Sequence, residues 1–370
     1  MLDERELVHL LHAEVDSAER PSTVLDVGRA MATGRRQRRL ARSTAAALVV
    51  GVLAAAGLTV PGLLGSDRPP APADTAAPDR ATALPAALTV VEPDVVYVRF
   101  GWLPDGVRHL QYQTGLLLSG PGVYLAASTN ETGETWRGVS VDLFPKGVQP
   151  PAPQRDDGSP AALSGTRAGP DLPGGPSTFV SYTGGGPSEA ILRWQYAPDG
   201  WAQVRVLGLP GDPRDAAGRV ARTLTFGREV LPMPVTVRGV PDTLRPITGD
   251  VTLDLHEPGS WYAGMTWSPE PPDADPGRQR ARTLDVGFWP YRVITDPNAK
   301  GRPDPNTTLD GHPARFTSEG GVESLTVYDV AGVGVWIDDD GLLPDGGTRA
   351  LFRRLDIGPD AAGWLPHLSR

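Results

Sequence analysis

Histidine and cysteine are the residue types that most often mark a catalytic or metal site, and this chain uses them sparingly. After residue 65 the histidines are His109, His256, His312 and His367. None of them lies beside a G-x-S-x-G sequence, which would present a nucleophilic serine. The chain has no cysteine, so thiol nucleophiles, disulfides and zinc–thiolate sites are excluded. The sequence therefore predicts no catalytic residue, no metal site and no cofactor.

Acidic residues are abundant and leave one enzymatic alternative open. The run Asp338-Asp339-Asp340-Gly341 offers oxygen ligands but lacks the distant Glu of a full calcium loop, so we interpret it as a solvated hairpin tip. Paired carboxylates for glycoside hydrolysis remain an option, because the chain has 44 Asp and Glu residues. The alternative interpretation is therefore a membrane-tethered hydrolase that acts on envelope polymers.

The charge and composition narrow the class of protein further. The formal net charge is −9, and the residues that follow position 42 are more acidic than the chain as a whole. Such a region repels nucleic acid, whose recognition begins with neutralisation of phosphates. The chain also contains 44 glycines and 39 prolines, which favour turns and short strands over a helical bundle. We therefore expect a β-rich protein that does not bind nucleic acid.

One segment has the length and composition of a membrane-spanning helix. Residues 43–65 contain no charged residue, and about 20 apolar residues suffice to cross a bilayer as a helix. Five arginines lie close before the segment, within the sequence GRRQRRLAR at 34–42. Arginines stay on the cytoplasmic side. The sequence predicts a single-pass protein of the cell membrane, with the N-terminus cytoplasmic and the C-terminal domain extracytoplasmic. A cleaved signal peptide is the competing interpretation, but its basic region is normally much shorter than 42 residues.

The N-terminal tail, residues 1–42, is expected to be helical and to seek a partner. Leu7, Leu11 and Val15 recur at helical spacing and form an apolar stripe. Two short helices bury too little surface to fold firmly by themselves. The stripe is thus predicted to bind a cytosolic regulatory protein, or else to lie on the inner membrane surface or pack on itself.

Beyond an Ala/Pro-rich linker at 66–90, the chain contains an internal repeat at the level of sequence. Five blocks recur in the same order, which predicts two tandem, similar α+β units at 91–230 and 231–370. The matched blocks are 97–110 with 235–247, 139–147 with 284–292, 163–168 with 309–316, 190–208 with 323–341, and 220–227 with 351–358. The predicted fold class is therefore α+β and β-rich, with one transmembrane helix and a short helical tail.

The repeats predict particular elements and aromatic positions. Asp199-Gly200 is a strong hairpin turn, and short helices are expected at 216–223 and 348–354. Trp194 and Trp336 fall inside matched hairpins, so we expect both in the core at equivalent positions. Trp102 and Trp136 have no clear partner and are predicted to belong to a binding surface. A ligand site is expected in the groove between the units.

The layout resembles actinobacterial single-pass membrane proteins of the anti-sigma-factor and envelope-sensor type. The resemblance rests on the helical tail, the RRQRR sequence at 35–39, the single span, the Ala/Pro linker and the sequence WLPDG at 102–106. Zinc-binding members carry a His-x3-Cys-x2-Cys pattern, and this chain has no cysteine. The resemblance implies a non-enzymatic sensor, binding or scaffold protein. Its partners would be the lipid bilayer, a cytosolic regulator and an envelope ligand or protein.

Overall fold

A computed structural model describes the part of the chain that follows the predicted linker, with several gaps. The described residues are 86–117, 120–129, 136–153, 159–231, 233–257, 259–270, 282–290, 304–358, 361 and 364. The predicted tail, the predicted membrane segment and residues 66–85 of the predicted linker lie outside these ranges. Within the ranges, no helix has the length and apolar character that are needed to span a bilayer.

Strands dominate the described part of the chain, which confirms the β-rich prediction. The strands of the first half are β1 (Val95–Arg99), β2 (His109–Leu117), β3 (Gly120–Ser128), β4 (Gly138–Leu143), β5 (Leu163–Leu172), β6 (Gly175–Tyr182), β7 (Glu189–Ala197), β8 (Gly200–Leu207) and β9 (Thr225–Val230). The strands of the second half are β10 (Val235–Val237), β11 (Arg245–Asp254), β12 (Trp261–Ser268), β13 (Leu284–Pro290), β14 (Thr307–Leu309), β15 (His312–Glu319), β16 (Val322–Val330), β17 (Val333–Asp339) and β18 (Leu355–Ile357). The helices are α1 (Pro213–Thr223) and α2 (Gly347–Phe352).

Fourteen strands form one antiparallel sheet that runs through both halves. Their order is β14-β15-β16-β17-β13-β12-β11-β2-β3-β4-β8-β7-β6-β5. The halves join edge to edge, because β11 pairs with β2 from Thr248 opposite Gly115 to Asp254 opposite His109. Two small sheets pair β1 with β9 and β10 with β18. The junction between the halves is therefore a continuous strand pairing.

Alternation along the strands gives the large sheet two different faces. In β8, Ala202, Val204 and Val206 are fully buried, whereas the residues between them are only half-buried. Side chains of successive strand residues point to opposite faces. The apolar set forms the core face, and we call the opposite side the outer face. The polar residues of the outer face are the ones available to bind a ligand.

The helices cover the core face at corresponding places in the two halves. Helix α1 packs on β7 and β8, and α2 packs on β16 and β17. Asp212 caps α1 by accepting a hydrogen bond of 2.8 Å from the backbone N–H of Arg214. The α1 residues Ala217 and Val220 are completely buried in the same core as the sheet. The core is a single cluster with members from both halves.

A buried tyrosine ties the first small sheet to the large one, and its removal should be costly. The Tyr112 hydroxyl donates to the Val95 carbonyl at 2.9 Å and accepts from the Tyr97 N–H at 2.8 Å. Tyr112 is fully buried, and this burial raises the pKa of its phenol. Tyr112→Phe should lower the free energy of unfolding by about 1–3 kcal/mol, because it leaves two buried backbone groups unpaired. Denaturant unfolding measures the loss, and an unchanged midpoint would contradict it.

The hairpin and helix predictions hold in part. Asp199 adopts a positive φ of 59° in the turn between β7 and β8, as the hairpin at 190–208 requires. Helix α1 begins three residues before the predicted start, because Asp212 supplies the cap and Pro213 suits the first turn. Helix α2 begins at Gly347 and ends at Phe352. These differences arise at the helix ends.

The linker boundary and the acidic run were predicted wrongly. Leu88 donates its N–H to the Tyr196 hydroxyl at 3.1 Å and packs against the core, so the folded domain begins before residue 91. Asp339 is only 2% exposed, and its carboxylate accepts from the N–H groups of Leu342 and Leu343. The acidic run therefore ends β17 and holds the turn before α2, instead of forming a solvated hairpin tip.

The expected equivalence of two tryptophans and one of the sequence matches also fail. Trp194 lies in β7 and is 1% exposed, whereas Trp336 lies in β17 and is half-buried on the outer face. The two residues therefore occupy different strands of their hairpins. The block at 163–168 lies within β5, while its supposed match at 309–316 spans the turn from β14 to β15. The match rested on a shared Leu-x-Gly pattern, which lies in a strand in one block and in a turn in the other.

Candidate binding site on the outer face of the sheet

Three polar side chains form a ladder across neighbouring strands of the outer face. Arg193 on β7 lies opposite Gln203 on β8, and Gln203 lies opposite Asp142 on β4. The Arg193 Nε donates to the Gln203 Oε1 at 2.8 Å, and the Gln203 Nε2 donates to the Asp142 Oδ2 at 3.3 Å. The amide therefore connects a cation to an anion without direct contact between the two charges.

Asp142 is held where its charged form is disfavoured. Burial raises its pKa to about 6, while the hydrogen bond from Gln203 and the charges of Arg205 and Arg193 oppose this shift. Its backbone lies in β4, in the middle of the first half, between β3 and β8. Asp142 is therefore a half-buried acid whose pKa is raised to about 6.

Arg193 is fixed on several sides. Besides its bond to Gln203, the Nη2 of Arg193 donates to the Pro151 carbonyl at 2.7 Å, and the guanidinium lies 5.4 Å from the centre of the Tyr182 ring. Burial is also the main cause of a lowered pKa for this side chain. A guanidinium that is anchored in this way has already lost most of its rotamer freedom. Arg193 is thus a preorganised, partly desolvated cation.

A pocket opens beside Arg193, and we call it the Arg193 pocket. Its volume is about 470 Å³, within the usual range of about 300–1,000 Å³ for small-molecule sites. The walls come from β6, β7 and β8, from the β5–β6 turn and from the segment after β4. The lining residues are Gln149, Pro150, Gly174, Gly175, Pro176, Thr178, Val180, Arg193, Gln195 and Trp201. Arg193 is the only charged residue among them.

Strands β12 and β17 of the second half carry aromatic rings that lie close to glycines of β12 and β13. Gly264 on β12 lies opposite Gly287 on β13, and Gly287 lies opposite Trp336 on β17. A Cβ added to Gly287 would lie 2.9 Å from the Tyr262 hydroxyl and 3.2 Å from the Trp336 ring. The two glycines therefore leave room for rings that lie against the sheet. The halves have similar strands but different outer-face chemistry.

A smaller pocket of about 220 Å³ lies at α1. Arg167, Arg214 and Arg222 line it together with Asp212 and Asp215. Asp212 already serves as the helix cap. Two of the arginines are therefore balanced by nearby carboxylates, and a structural role explains part of this cluster.

Histidine and acidic residues do not assemble into a metal site within the described ranges. No group of three or more His, Asp or Glu side chains is placed to hold a metal ion there. At the junction of the halves, the His109 Nδ1 lies 3.7 Å from the Asp254 Oδ2. Asp254 also accepts from the backbone N–H groups of His256 and Glu257, which fixes the end of β11. We assign this cluster a structural role.

The two tryptophans predicted for binding do not line the Arg193 pocket. Leu7, Leu11 and Val15 lie outside the described residues. Trp102 follows β1 and is half-buried, with the Arg219 guanidinium 4.2 Å from the centre of its ring. Trp136 lies two residues before the start of β4 and is also half-buried. Their role in binding stays a prediction, and neither lines either pocket.

Sequence reasoning overlooked Arg193, Gln195 and Trp201, although a signal was present. The sequence AILRWQYAPDGWAQVRV at 190–206 alternates from Leu192 to Tyr196 and again from Ala202 to Val206, and its apolar positions were interpreted as core. The same alternation places Arg193 and Gln195 together on the outer face, opposite Gln203 and Trp201 of β8. The segment 145–153 decides which outer-face residues border a cavity, and the sequence does not reveal the course of this segment.

Comparison with known proteins does not assign the chain to a family. No protein-family model matches the chain. No curated protein is significantly similar to it. The class of protein is therefore argued from the residues and their arrangement.

Proposed function

We propose that the chain is a membrane-anchored, non-enzymatic binding protein, whose large sheet presents a ligand pocket outside the cell. The observation that carries the proposal is the Arg193 pocket, a cavity with one fixed cation and an otherwise neutral lining. The anchor is the uncharged segment 43–65, and the arginines before it set the direction. This topology places the sheet in the envelope and the residues 1–42 in the cytoplasm.

Fractionation of cells that express the full chain tests the topology. We expect the chain to stay in the membrane fraction after a high-salt wash. We also expect protease to digest the sheet domain when it is added to intact cells whose outer layers are permeable. A matched variant with Leu53→Arg and Val60→Arg should leave the membrane, because each central arginine costs about 2.5–3.5 kcal/mol on insertion scales. Recovery of the unaltered chain in the soluble cytoplasm would contradict the proposal.

The cytoplasmic tail is proposed to hold a regulatory protein of the kind that anti-sigma factors bind. The support is the apolar stripe of Leu7, Leu11 and Val15, which two short helices cannot bury by themselves. Leu7→Glu combined with Leu11→Glu should reduce recovery of a cytosolic partner with the full chain by about tenfold or more, since two apolar anchors are lost. Glu6→Gln, which helical periodicity places away from the stripe, is the control. Equal recovery with both variants would contradict a partner on this stripe.

The two halves are further proposed to be copies of one unit. The first half has the order β2-β3-β4-β8-β7-β6-β5 and the second β11-β12-β13-β17-β16-β15-β14, which is the same plan. Aligning the hairpins β7–β8 and β16–β17 by cross-strand partners matches Trp194 with Val327 and Gln203 with Trp336.

Sequence blocks agree with this pairing of strands. DLPGGPSTF at 171–179 corresponds to TLDGHPARF at 308–316. The first block crosses the β5–β6 turn and the second the β14–β15 turn, and these strands form the two ends of the large sheet. The Pro-Asp pairs at 104–105 and 241–242 both precede the strand that joins the halves. An experimental structure tests the duplication by superposing residues 95–227 on 234–358. Strands that follow different paths after superposition would contradict it.

A further inference from the structure

The chemistry of the Arg193 pocket identifies a class of ligand, and this inference rests on the proposed binding function. Arg193 supplies the single formal charge of the lining. The anchored guanidinium lies at the pocket wall, and a partly desolvated cation of this kind gains most from an anionic partner. Gln149, Gln195 and Thr178 add neutral polar groups. No carboxylate lines the pocket to repel an anion.

The size of the charge distinguishes between anions. One guanidinium balances one negative charge, which matches a carboxylate, whereas a phosphate monoester carries about −1.5 to −2 at neutral pH. Asp142 lies behind Arg193, connected to it through Gln203, and already offsets part of the positive charge. The pocket therefore has too little positive charge for a doubly charged phosphate and enough for a singly charged carboxylate.

Trp201 determines what the body of the ligand resembles. It lies opposite Gln195 at the end of the β7–β8 hairpin and lines the same cavity as Arg193. An indole face binds the flat, weakly polar face of a ring, either aromatic or sugar. Arg193 and Trp201 belong to neighbouring cross-strand pairs on the outer face, Arg193–Gln203 and Gln195–Trp201. A ring that carries a carboxylate fits both features.

The second half lacks this combination at the matching positions. By the cross-strand alignment, Thr326 stands in place of Arg193, Trp336 in place of Gln203, and Gly287 in place of Asp142. The site is therefore confined to the first half, with one ligand for each chain.

We propose that the Arg193 pocket binds a small monocarboxylate with a flat ring, with the carboxylate on Arg193 and the ring against Trp201. The experiment uses the full chain in detergent micelles, labelled with 5-fluorotryptophan. The chain has nine tryptophans, and Trp201→Phe identifies the resonance of Trp201 by its loss. Benzoate and glucuronate are the probes, benzamide and glucuronamide their neutral counterparts, and inorganic phosphate the third arm.

Benzoate or glucuronate should shift the Trp201 resonance with a dissociation constant of about 1 mM or tighter. The amides should bind about tenfold more weakly, since they lose the charge-assisted bonds to Arg193. Arg193→Gln should weaken binding of the acids by about tenfold. Gln195→Glu should do the same by adding a negative charge at an exposed position, and it leaves the supports of Arg193 in place. Arg238→Gln, which alters an exposed arginine paired with Asp356, should bind like the unaltered chain.

Several outcomes would overturn the inference. They are amides that bind as tightly as the acids, tighter binding of phosphate than of the acids, or no shift of the Trp201 resonance with any acid. If Arg193→Gln does not fold, Gln195→Glu decides, and unchanged affinity in that variant counts against the inference. The fractionation experiment is independent of these results, so failure of the carboxylate inference leaves the proposed membrane topology intact.

Discussion

Trp194→Ala should lower the free energy of unfolding by about 3–5 kcal/mol, a large part of the stability of most domains. Trp194 is 1% exposed and is the largest fully buried side chain of the described residues. It lies between Ser177 on β6 and Ala202 on β8, beneath helix α1. Small residues on both sides cannot close the cavity that the indole leaves, and interiors collapse only partly around such a void. Urea denaturation of the full chain in micelles measures the change.

Trp201→Ala is the matched control for this prediction. Trp201 belongs to the same hairpin but faces outward and is half-buried, so its removal should cost about 1 kcal/mol or less. Trp336→Ala should fall between the two, because the ring is half-buried against the glycines of β12 and β13. Equal losses for Trp194 and Trp336 would mean that the two tryptophans are structurally equivalent after all, and would contradict the described burial.

Asp142 should make the protein less stable as the pH rises through the acidic range. Its pKa is about 6 in the folded chain against an ordinary value of 3.8, so the folded state holds this proton more tightly than the unfolded state does. Between about pH 4 and pH 6 the free energy of unfolding therefore falls with rising pH, by about 2–3 kcal/mol in total from this group. Above the folded pKa the contribution is constant. Stability curves recorded at intervals across this range measure it.

Asp142→Asn isolates the effect. The amide keeps an oxygen that can accept from Gln203 but cannot ionise. We expect the variant to be more stable than the unaltered chain at pH 7.5 by about 2 kcal/mol and to lose the corresponding part of the pH dependence. Asp105→Asn, at an exposed turn position, should keep the pH dependence of the unaltered chain. A destabilised Asp142→Asn variant at pH 7.5 would mean that the carboxylate is needed to balance Arg193.

Strand β7 connects the core to the Arg193 pocket. Trp194 and Arg193 are adjacent in β7 and point to opposite faces. A loss of packing beneath the strand would move the cation that faces the pocket. Ligand affinity measured on Trp194→Ala under folding conditions would report how strongly the core holds Arg193 in place.

Local sequence was sufficient for the hairpins, the two helices and the dominance of strands. Alternation at 192–196 and 202–206, together with the Asp199-Gly200 turn, specifies a hairpin without help from the rest of the chain. Pro213 after Asp212 and the apolar spacing of Ala217 and Val220 specify α1 in the same local way. Patterns of this kind depend on neighbours in sequence, which is why they can be read before the fold is known.

Pairings between distant strands were decided by the tertiary structure alone. The halves meet edge to edge through the pairing of β2 with β11, and a continuous sheet satisfies backbone groups that two separate edges would leave open. Both described pockets consequently lie within the first half.

The sequence by itself determined an acidic, cysteine-free, strand-rich chain with a 23-residue uncharged segment next to a group of arginines. It could not determine that Arg193, Gln203 and Asp142 stand in one row, since β4 and β7 are far apart in the chain and meet only through β8. Nor could it show that segment 145–153 passes over that row and encloses a pocket. Cross-strand register between distant segments is set by the packing of the whole core, and that packing is a property of the folded chain.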